Sequence, residues 1–180
     1  MKKTLFFILS LIFIYPQSML ASIISVTPEN SVVQPGELFS VDIIGQEFSD
    51  STDGGGINVQ YDSNIIQVES FSFDPLWEFF SDAGTIDNIG GAILNIGFAT
   101  FINTPPEDFV IGTLLFRAGE TLGDTSISLT ESLAVGGFSV GGVKQTVDFS
   151  AGQVAVIPLP ASAMLLLSGL SFFGLSFRRN

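Results

Sequence analysis

Several residue types are absent or scarce in this sequence, and each absence excludes a class of chemistry. The 180 residues contain no cysteine and no histidine, and only six are lysine or arginine. Zinc sites of the usual His or Cys type are excluded, and so are nucleophiles that depend on a histidine base. The 18 carboxylates are scattered, so chance pairs carry no signal for glycoside hydrolysis. We therefore do not expect an enzyme.

The formal net charge of −12 is unevenly distributed along the chain. Four of the six cations stand near the two ends, and only Arg117 and Lys144 lie between them, together with all 18 carboxylates. Such a field repels nucleic acid and anionic membrane surfaces. The charge suits either an acidic face kept for solubility or a cationic partner, and nucleic acid is not an expected partner.

The first residues read as an export signal. Lys2 and Lys3 precede an apolar stretch from Leu5 to Tyr15, and small and polar residues follow as far as Ala21. This order predicts a signal-peptide helix over residues 1–21, cleaved after Ala21 by signal peptidase. The alternative is an uncleaved anchor, for which the apolar stretch is short. A cysteine-free chain fits an exported protein with an adequate core as well as a cytosolic one.

The body, residues 22–156, has the pattern of β-strands. Apolar side chains alternate with polar ones in several short segments, and "QPGE", "DGGG", "TPPED", "GETLGD" and "GGFSVGG" are turn signals between them. This pattern predicts an all-β, antiparallel, two-sheet sandwich, whose core the 18 phenylalanines suit. The residues assigned to core faces are Phe39, Val41, Ile43, Ile57, Val59, Tyr61, Leu94, Ile96, Phe98, Leu114, Phe116, Ile127 and Leu129.

The order of the body's segments resembles that of cohesin-like domains. The segments are "VTPENSVVQPGELFSVDIIG", "GGGINVQYDSNIIQVESFSF", "LNIGFATF", "IGTLLFRA" and "GDTSISLTE". The resemblance covers most of the body and implies a jelly-roll β-sandwich. Some members of that superfamily dock partner modules and others bind glycans, so both a protein ligand and an exopolysaccharide ligand stay open.

Conspicuous local residues have plain structural interpretations. Pro35 and Gly36 predict a turn, and Asp62 is expected to cap another turn with its carboxylate rather than to bind a ligand. "DSTDGGG", with Asp50 and Asp53, is faintly similar to a calcium loop but lacks the closing bidentate glutamate, so a flexible hairpin loop is favoured. We expect no cofactor and no tightly bound metal, and leave weak calcium binding open.

Trp77, in "DPLWEFF", is the best single candidate for ligand binding. Glycan platforms are usually Trp or Tyr, and Trp77 and Tyr61 are the only such residues in the body. The alternative is that Trp77 packs with Phe79 and Phe80 over one end of the sandwich. A protein-docking sheet face is the other expected mode of binding.

The last segment predicts a membrane helix. Residues 161–177 carry no charge, and about 17 residues of helix span roughly 25 Å, just enough for a bilayer core. A plain C-terminal anchor is one interpretation. The segment is also similar to the VPLPA variant of the PEP-CTERM sorting signal, with Ile157 in place of the valine. The residues that match this signal are Pro158, Leu159, Pro160, Ala161, Arg178 and Arg179.

The sorting resemblance implies a Gram-negative bacterium that makes exopolysaccharide and an exosortase as processing partner. The predicted organisation is a signal peptide (1–21), a cohesin-like sandwich (22–156) and a sorting signal with a transmembrane helix (157–180). The tail would anchor the chain in the inner membrane until it is removed, and the product would reach the cell surface or the extracellular matrix. The sequence thus predicts a non-enzymatic interaction module of the surface or biofilm matrix, with carbohydrate binding as the alternative.

Overall fold

A computed structural model describes residues 22–48 and 51–158, and the regular secondary structure of this part of the chain is almost entirely β-strand. One 3₁₀ helix, Leu133–Val135, is its only helical element. The predicted signal-peptide and transmembrane helices lie outside the described residues. Within the described ranges, no helix has the length and apolar character needed to cross a bilayer.

The strands follow one another along the chain with short connections. They are β1 (Ser22–Thr27), β2 (Asn30–Val33), β3 (Leu38–Gln46), β4 (Gly54–Gln60), β5 (Ile66–Phe73), β6 (Phe80–Asp82), β7 (Thr85–Asp87), β8 (Ala92–Ala99), β9 (Phe109–Ala118), β10 (Gly123–Glu131), β11 (Ser139–Val140), β12 (Val143–Lys144), β13 (Val147–Ser150) and β14 (Gly152–Val156).

Two sheets pack against each other, which confirms the predicted all-β sandwich. The first has the strand order β13-β1-β3-β9-β5. The second has the order β12-β11-β4-β10-β14-β2, and β8 pairs with β4 and carries the short strands β6 and β7. Most pairs are antiparallel, as expected. Two pairs are parallel, β1 with β13 in the first sheet and β14 with β2 in the second. Each of the first two strands thus lies beside one of the last two.

Alternation of apolar and polar residues places the core between the sheets. Ile57, Val59 and Tyr61 are buried as predicted, and so are Leu114 and Phe116. The other predicted core residues are also buried or packed against the core, except Leu94. The largest fully buried side chains are Phe48, Phe98, Phe116, Phe138, Ile24, Ile43, Ile57, Ile66, Ile93, Ile96, Ile111 and Leu114.

The prediction for Leu94 is wrong, because β8 contains an irregularity. Asn95 has a φ of 65°, and the register between β4 and β8 shifts at this point. The extra residue reverses the alternation, so that Ile93 and Ile96 are both buried while Leu94 is 43% exposed. Asn58 holds the irregular backbone through its Oδ1, which accepts a hydrogen bond from Asn95 N at 2.8 Å.

The Asp62 turn is confirmed. The carboxylate oxygen Oδ1 of Asp62 accepts a hydrogen bond from the backbone N–H of Asn64 at 2.9 Å. The side-chain amide of Asn64 donates to the same oxygen at 2.9 Å. This local network fixes the connection between β4 and β5, as is common for aspartate in turns.

Removing one core ring tests how much aromatic packing contributes to the stability of the sandwich. Phe116 is fully buried, stacked on Phe39 at 5.5 Å and edge-on to Tyr61 at 5.5 Å. In residues 22–158 expressed alone, we expect Phe116→Ala to lower the free energy of urea unfolding by about 3–5 kcal/mol. Ile89→Ala, at a side chain 95% exposed, is the control and should change it by less than about 0.5 kcal/mol. Equal effects of the two substitutions would contradict this fold.

Candidate functional site

The residues of the predicted sorting motif fall almost wholly outside the described part of the chain. Only Pro158 is described, and it lies exposed just after β14. Ile157 precedes it and donates its backbone N–H to Val33 O at 3.0 Å, which ties the end of the body to β2. Leu159, Pro160, Ala161, Arg178 and Arg179 are outside the described residues, so the motif stays a prediction.

Trp77 is not placed to bind a ligand. Its side chain is only 3% exposed, and its indole Nε1–H donates to Val110 O at 3.0 Å. The ring packs edge-on against Phe98 at 4.6 Å and Phe109 at 5.4 Å. A glycan platform must offer a free ring face, so the prediction that Trp77 binds a glycan is wrong. The alternative prediction, that Trp77 packs against other aromatic rings, is confirmed, but its partners are Phe98 and Phe109 and not Phe79 and Phe80.

Tyr61, the other residue whose ring could have stacked on a glycan, is also buried. Its hydroxyl donates to Asn88 Oδ1 at 2.7 Å. The same oxygen accepts Val68 N at 2.9 Å, and the Asn88 amide donates to Val68 O at 2.9 Å. Burial raises the pKa of the Tyr61 phenol above its usual value. Tyr61 therefore serves the packing of β4 against β5.

The described ranges contain no cluster of metal-ligating side chains and only two cations, Arg117 and Lys144. No group of three or more Asp, Glu, His or Cys side chains there could hold a metal ion. The two cations of this part are both paired, Arg117 Nε with Glu69 Oε1 at 2.6 Å and Lys144 Nζ with Glu131 Oε2 at 3.0 Å. These exposed pairs contribute little to stability, but they leave neither cation unpaired.

A cleft of about 560 Å³ lies at one end of the sandwich and is here called the end cleft. It lies between the start of β4, the loop that joins β8 to β9, and the segment around the 3₁₀ helix. Its lining residues are Ser51, Thr52, Asp53, Gly54, Gly55, Phe79, Phe80, Phe98, Ala99, Thr100, Phe101, Ile102, Asn103, Thr104, Pro105, Val135, Gly136, Gly137 and Ser139.

The glycines that form one wall of the end cleft were expected in a hairpin loop, and that prediction is wrong. Gly54, Gly55 and Gly56 begin strand β4 instead. A Cβ on Gly55 would stand 2.7 Å from the Phe138 ring and 2.9 Å from the Phe98 ring. Glycine is required here because two core rings approach the strand backbone too closely for any side chain.

Glu78 organises the loop on the opposite side of the cleft. Its Oε1 accepts the backbone N–H groups of Phe101 and Ile102, each at 2.7 Å. Its Oε2 accepts the Thr100 hydroxyl at 2.7 Å and the Asn103 side-chain amide at 3.0 Å. The two backbone donors, Ile102 first, lower the pKa of Glu78 to about 2, so the carboxylate is ionised at neutral pH. A single side chain thus fixes four consecutive residues.

The fixed loop presents apolar side chains to solvent. Phe79, Phe101 and Ile102 are 69%, 82% and 81% exposed, and Phe80 is 43% exposed. The rings of Phe79 and Phe101 lie 5.8 Å apart, tilted by 38°. We call these four side chains the apolar rim. A contiguous exposed apolar cluster marks an interaction site more often than a scattered apolar residue does.

The sequence contained only a weak signal for the apolar rim. The turn signal "TPPED" covers residues 104–108 and leaves out Phe101 and Ile102, which directly precede this polar, proline-rich stretch and Asn103. Two adjacent large apolar residues in a turn are the feature that could have identified the rim. The hydrogen bonds from residues 100–103 to the Glu78 carboxylate are here called the Glu78 clamp. They join positions more than 20 residues apart, and no local pattern predicts them.

The Glu78 clamp predicts a distinct acid titration. Because the pKa of Glu78 is about 2 in the folded chain and 4.5 for a free glutamate side chain, the clamp's contribution to stability is present above pH 4.5 and disappears as the pH falls through about 2. We expect the amide proton shifts of Phe101 and Ile102 to titrate with a midpoint near 2 in NMR spectra. The Glu78→Gln variant should lose this transition, whereas Asp124→Asn, at an exposed carboxylate on β10, should keep it. A wild-type midpoint near 4.5 would contradict the clamp.

Comparisons with known proteins support the fold. A scan against models of protein families found no match, and a search of curated proteins also found none. Solved cohesin structures are similar. The third ScaC cohesin of Acetivibrio cellulolyticus, solved with the ScaB dockerin, has a TM-score of 0.60 and 17% identity, covering 76% of this chain and 99% of that one.

Two further cohesins agree. The cohesin of a type I cohesin–dockerin complex from Clostridium thermocellum has a TM-score of 0.60 and 17% identity, over 76% of this chain and 98% of that one. A non-cellulosomal cohesin from the archaeon Archaeoglobus fulgidus has a TM-score of 0.58 and 16% identity, over 81% of this chain and 97% of that one. The chain therefore has the cohesin-like β-sandwich fold that the sequence predicted.

Proposed function

We propose that this chain is an exported, non-enzymatic interaction module that binds a protein partner at the cell surface or in the extracellular matrix. The observation that carries the proposal is the apolar rim, which Glu78 holds in place beside the end cleft. Fixing a binding surface before contact reduces the entropy lost on association. An apolar cluster that is both exposed and fixed is suited to binding.

The fold similarity supports a protein partner. The similar structures from Acetivibrio cellulolyticus and Clostridium thermocellum are cohesins in complex with dockerins. The alternative, an exopolysaccharide ligand, loses its expected platforms because Trp77 and Tyr61 are both buried.

Delivery to the surface is the second part of the proposal, and it is motivated by the sequence. Signal peptidase would free the N-terminal end, and an exosortase would process the tail at "IPLPA". Until then the apolar segment would hold the chain in the inner membrane, with Arg178 and Arg179 on the cytoplasmic side. The exposed position of Pro158 directly after the last strand is compatible with access by an enzyme.

Substituting one proline tests the sorting proposal. In the producing bacterium, Pro160→Ala removes the φ restriction and lets a helix extend upstream over the processed segment. We expect the variant to accumulate uncleaved in the membrane fraction, as judged by the intact mass of the purified chain. Pro106→Ala, the same change at an exposed loop residue of the body, should be processed normally. An intact tail in the mature wild-type protein, or normal processing of Pro160→Ala, would refute exosortase sorting.

Site-specific photocrosslinking tests the binding proposal. The photoreactive residue p-benzoylphenylalanine would replace Phe101 on the rim, Leu94 on the outer face of β8, or Ile89 in a distant turn, in cells that produce the protein. We expect adducts from at least one of the first two positions, sensitive to protease and unaffected by glycosidases, and none from Ile89. Adducts with polysaccharide alone, or no adduct from either position, would contradict a protein-binding function.

A further inference from the structure

Four of the seven polar side chains that line the end cleft are hydrogen-bonded within the protein, which restricts what it can bind. Ser51 Oγ donates to Pro105 O at 3.1 Å, and Thr52 Oγ1 donates to Gly54 O at 2.9 Å. Thr100 and Asn103 are engaged by Glu78. A sugar needs several free donors and acceptors as well as an aromatic face with a polar edge, and the exposed rings at this cleft are phenylalanines. The cleft and the apolar rim therefore favour an apolar group.

The charge around the cleft is negative. Asp53 lines the cleft with an exposed carboxylate that has no hydrogen-bonding partner among the described residues. Glu78 is ionised at the base of the rim. No lysine or arginine lines the cleft, and the two cations of the described ranges are paired with Glu69 and Glu131. Lys144 stands opposite the cleft residue Ser139 in the β11–β12 pair, but its ammonium is bound to Glu131, which leaves Asp53 for a cation of the partner.

We infer that the end cleft binds a cationic segment of a protein partner, with one large apolar side chain packed on the exposed side of Phe79, Phe101 and Ile102 and lysine or arginine facing Asp53. The inference rests on the proposed protein-binding function and adds the partner's chemistry. Apolar anchoring supplies affinity at such sites, whereas charge complementarity supplies specificity and association rate. An anionic lipid surface is disfavoured because the chain is strongly acidic.

Defined peptides test this chemistry on the full chain. A fluorescein-labelled Lys-Lys-Leu-Phe-Lys-Lys peptide is titrated with the protein and its fluorescence anisotropy is measured. Two matched peptides replace either all the lysines with glutamate or the Leu-Phe pair with two serines. We expect binding of the first peptide and at least about tenfold weaker binding of both others, because each lacks one half of the recognition.

Variants locate the binding. Phe101→Ser combined with Ile102→Ser should weaken binding of the cationic peptide about tenfold or more, whereas Ile89→Ser, an equally exposed apolar position elsewhere, should not. Asp53→Asn should weaken it about threefold and reduce its salt dependence, and Asp124→Asn should have no effect. Unchanged circular dichroism and melting temperature establish that the rim variants fold.

The outcomes separate this inference from the proposed function. Equal binding of the cationic and glutamate peptides, unchanged binding in the rim variant, or binding of a soluble polysaccharide or of anionic vesicles in its place would overturn the inference. If photocrosslinks to protein form at Leu94 but not at Phe101, the binding function stands and the end cleft is the wrong surface. If no protein adduct forms at either position, the proposed function itself fails.

Discussion

The packing of aromatic rings at one end of the sandwich is the interaction on which the rest of this structure depends. The Trp77 ring packs against the rings of Phe98 and Phe109, and the Phe98 ring in turn lies 5.8 Å from the Phe138 ring. Phe48 closes the group, 4.8 Å from Phe109 and 6.2 Å from Phe138. These rings come from distant parts of the chain and fill the space between the sheets. The rings of Phe98 and Phe138 leave no room for a side chain at Gly55 of β4.

The same ring cluster determines what remains on the surface. With Trp77 held inside by its rings and its hydrogen bond to Val110, the next residue, Glu78, is directed outward and reaches the loop at Phe101 and Ile102. Phe79 and Phe101 then lie outside the filled core and against each other. One buried residue and its charged neighbour thus connect the core to the proposed binding surface.

Much of the fold could be predicted from the sequence, because strands with one buried face repeat every two residues. The alternation at Ile57, Val59 and Tyr61 and the turn at Asp62 are such local features. Leu94 was assigned to the wrong face, since the irregularity at Asn95 depends on pairing with β4. Gly55 was assigned with its neighbours to a loop, because the two rings that exclude a side chain there lie far away in sequence.

The candidate site was less predictable than the fold. Trp77 was proposed as a ligand platform on its residue type, but burial is decided by packing partners that no local pattern reveals. The apolar rim depends on a carboxylate that joins two separate loops. The negative charge of the body, by contrast, could be predicted from its composition, because the body contains only two cations among its many carboxylates.

Fluorescence of the single tryptophan tests the central claim most directly, because Trp77 is the only emitter of its kind in the chain. If the ring cluster fills the end of the sandwich, the emission maximum lies well to the blue of free tryptophan in water. Acrylamide quenches it weakly, and soluble polysaccharides leave it unchanged. A red-shifted emission that acrylamide quenches readily, in a chain that still melts cooperatively, would show Trp77 at the surface and contradict this account.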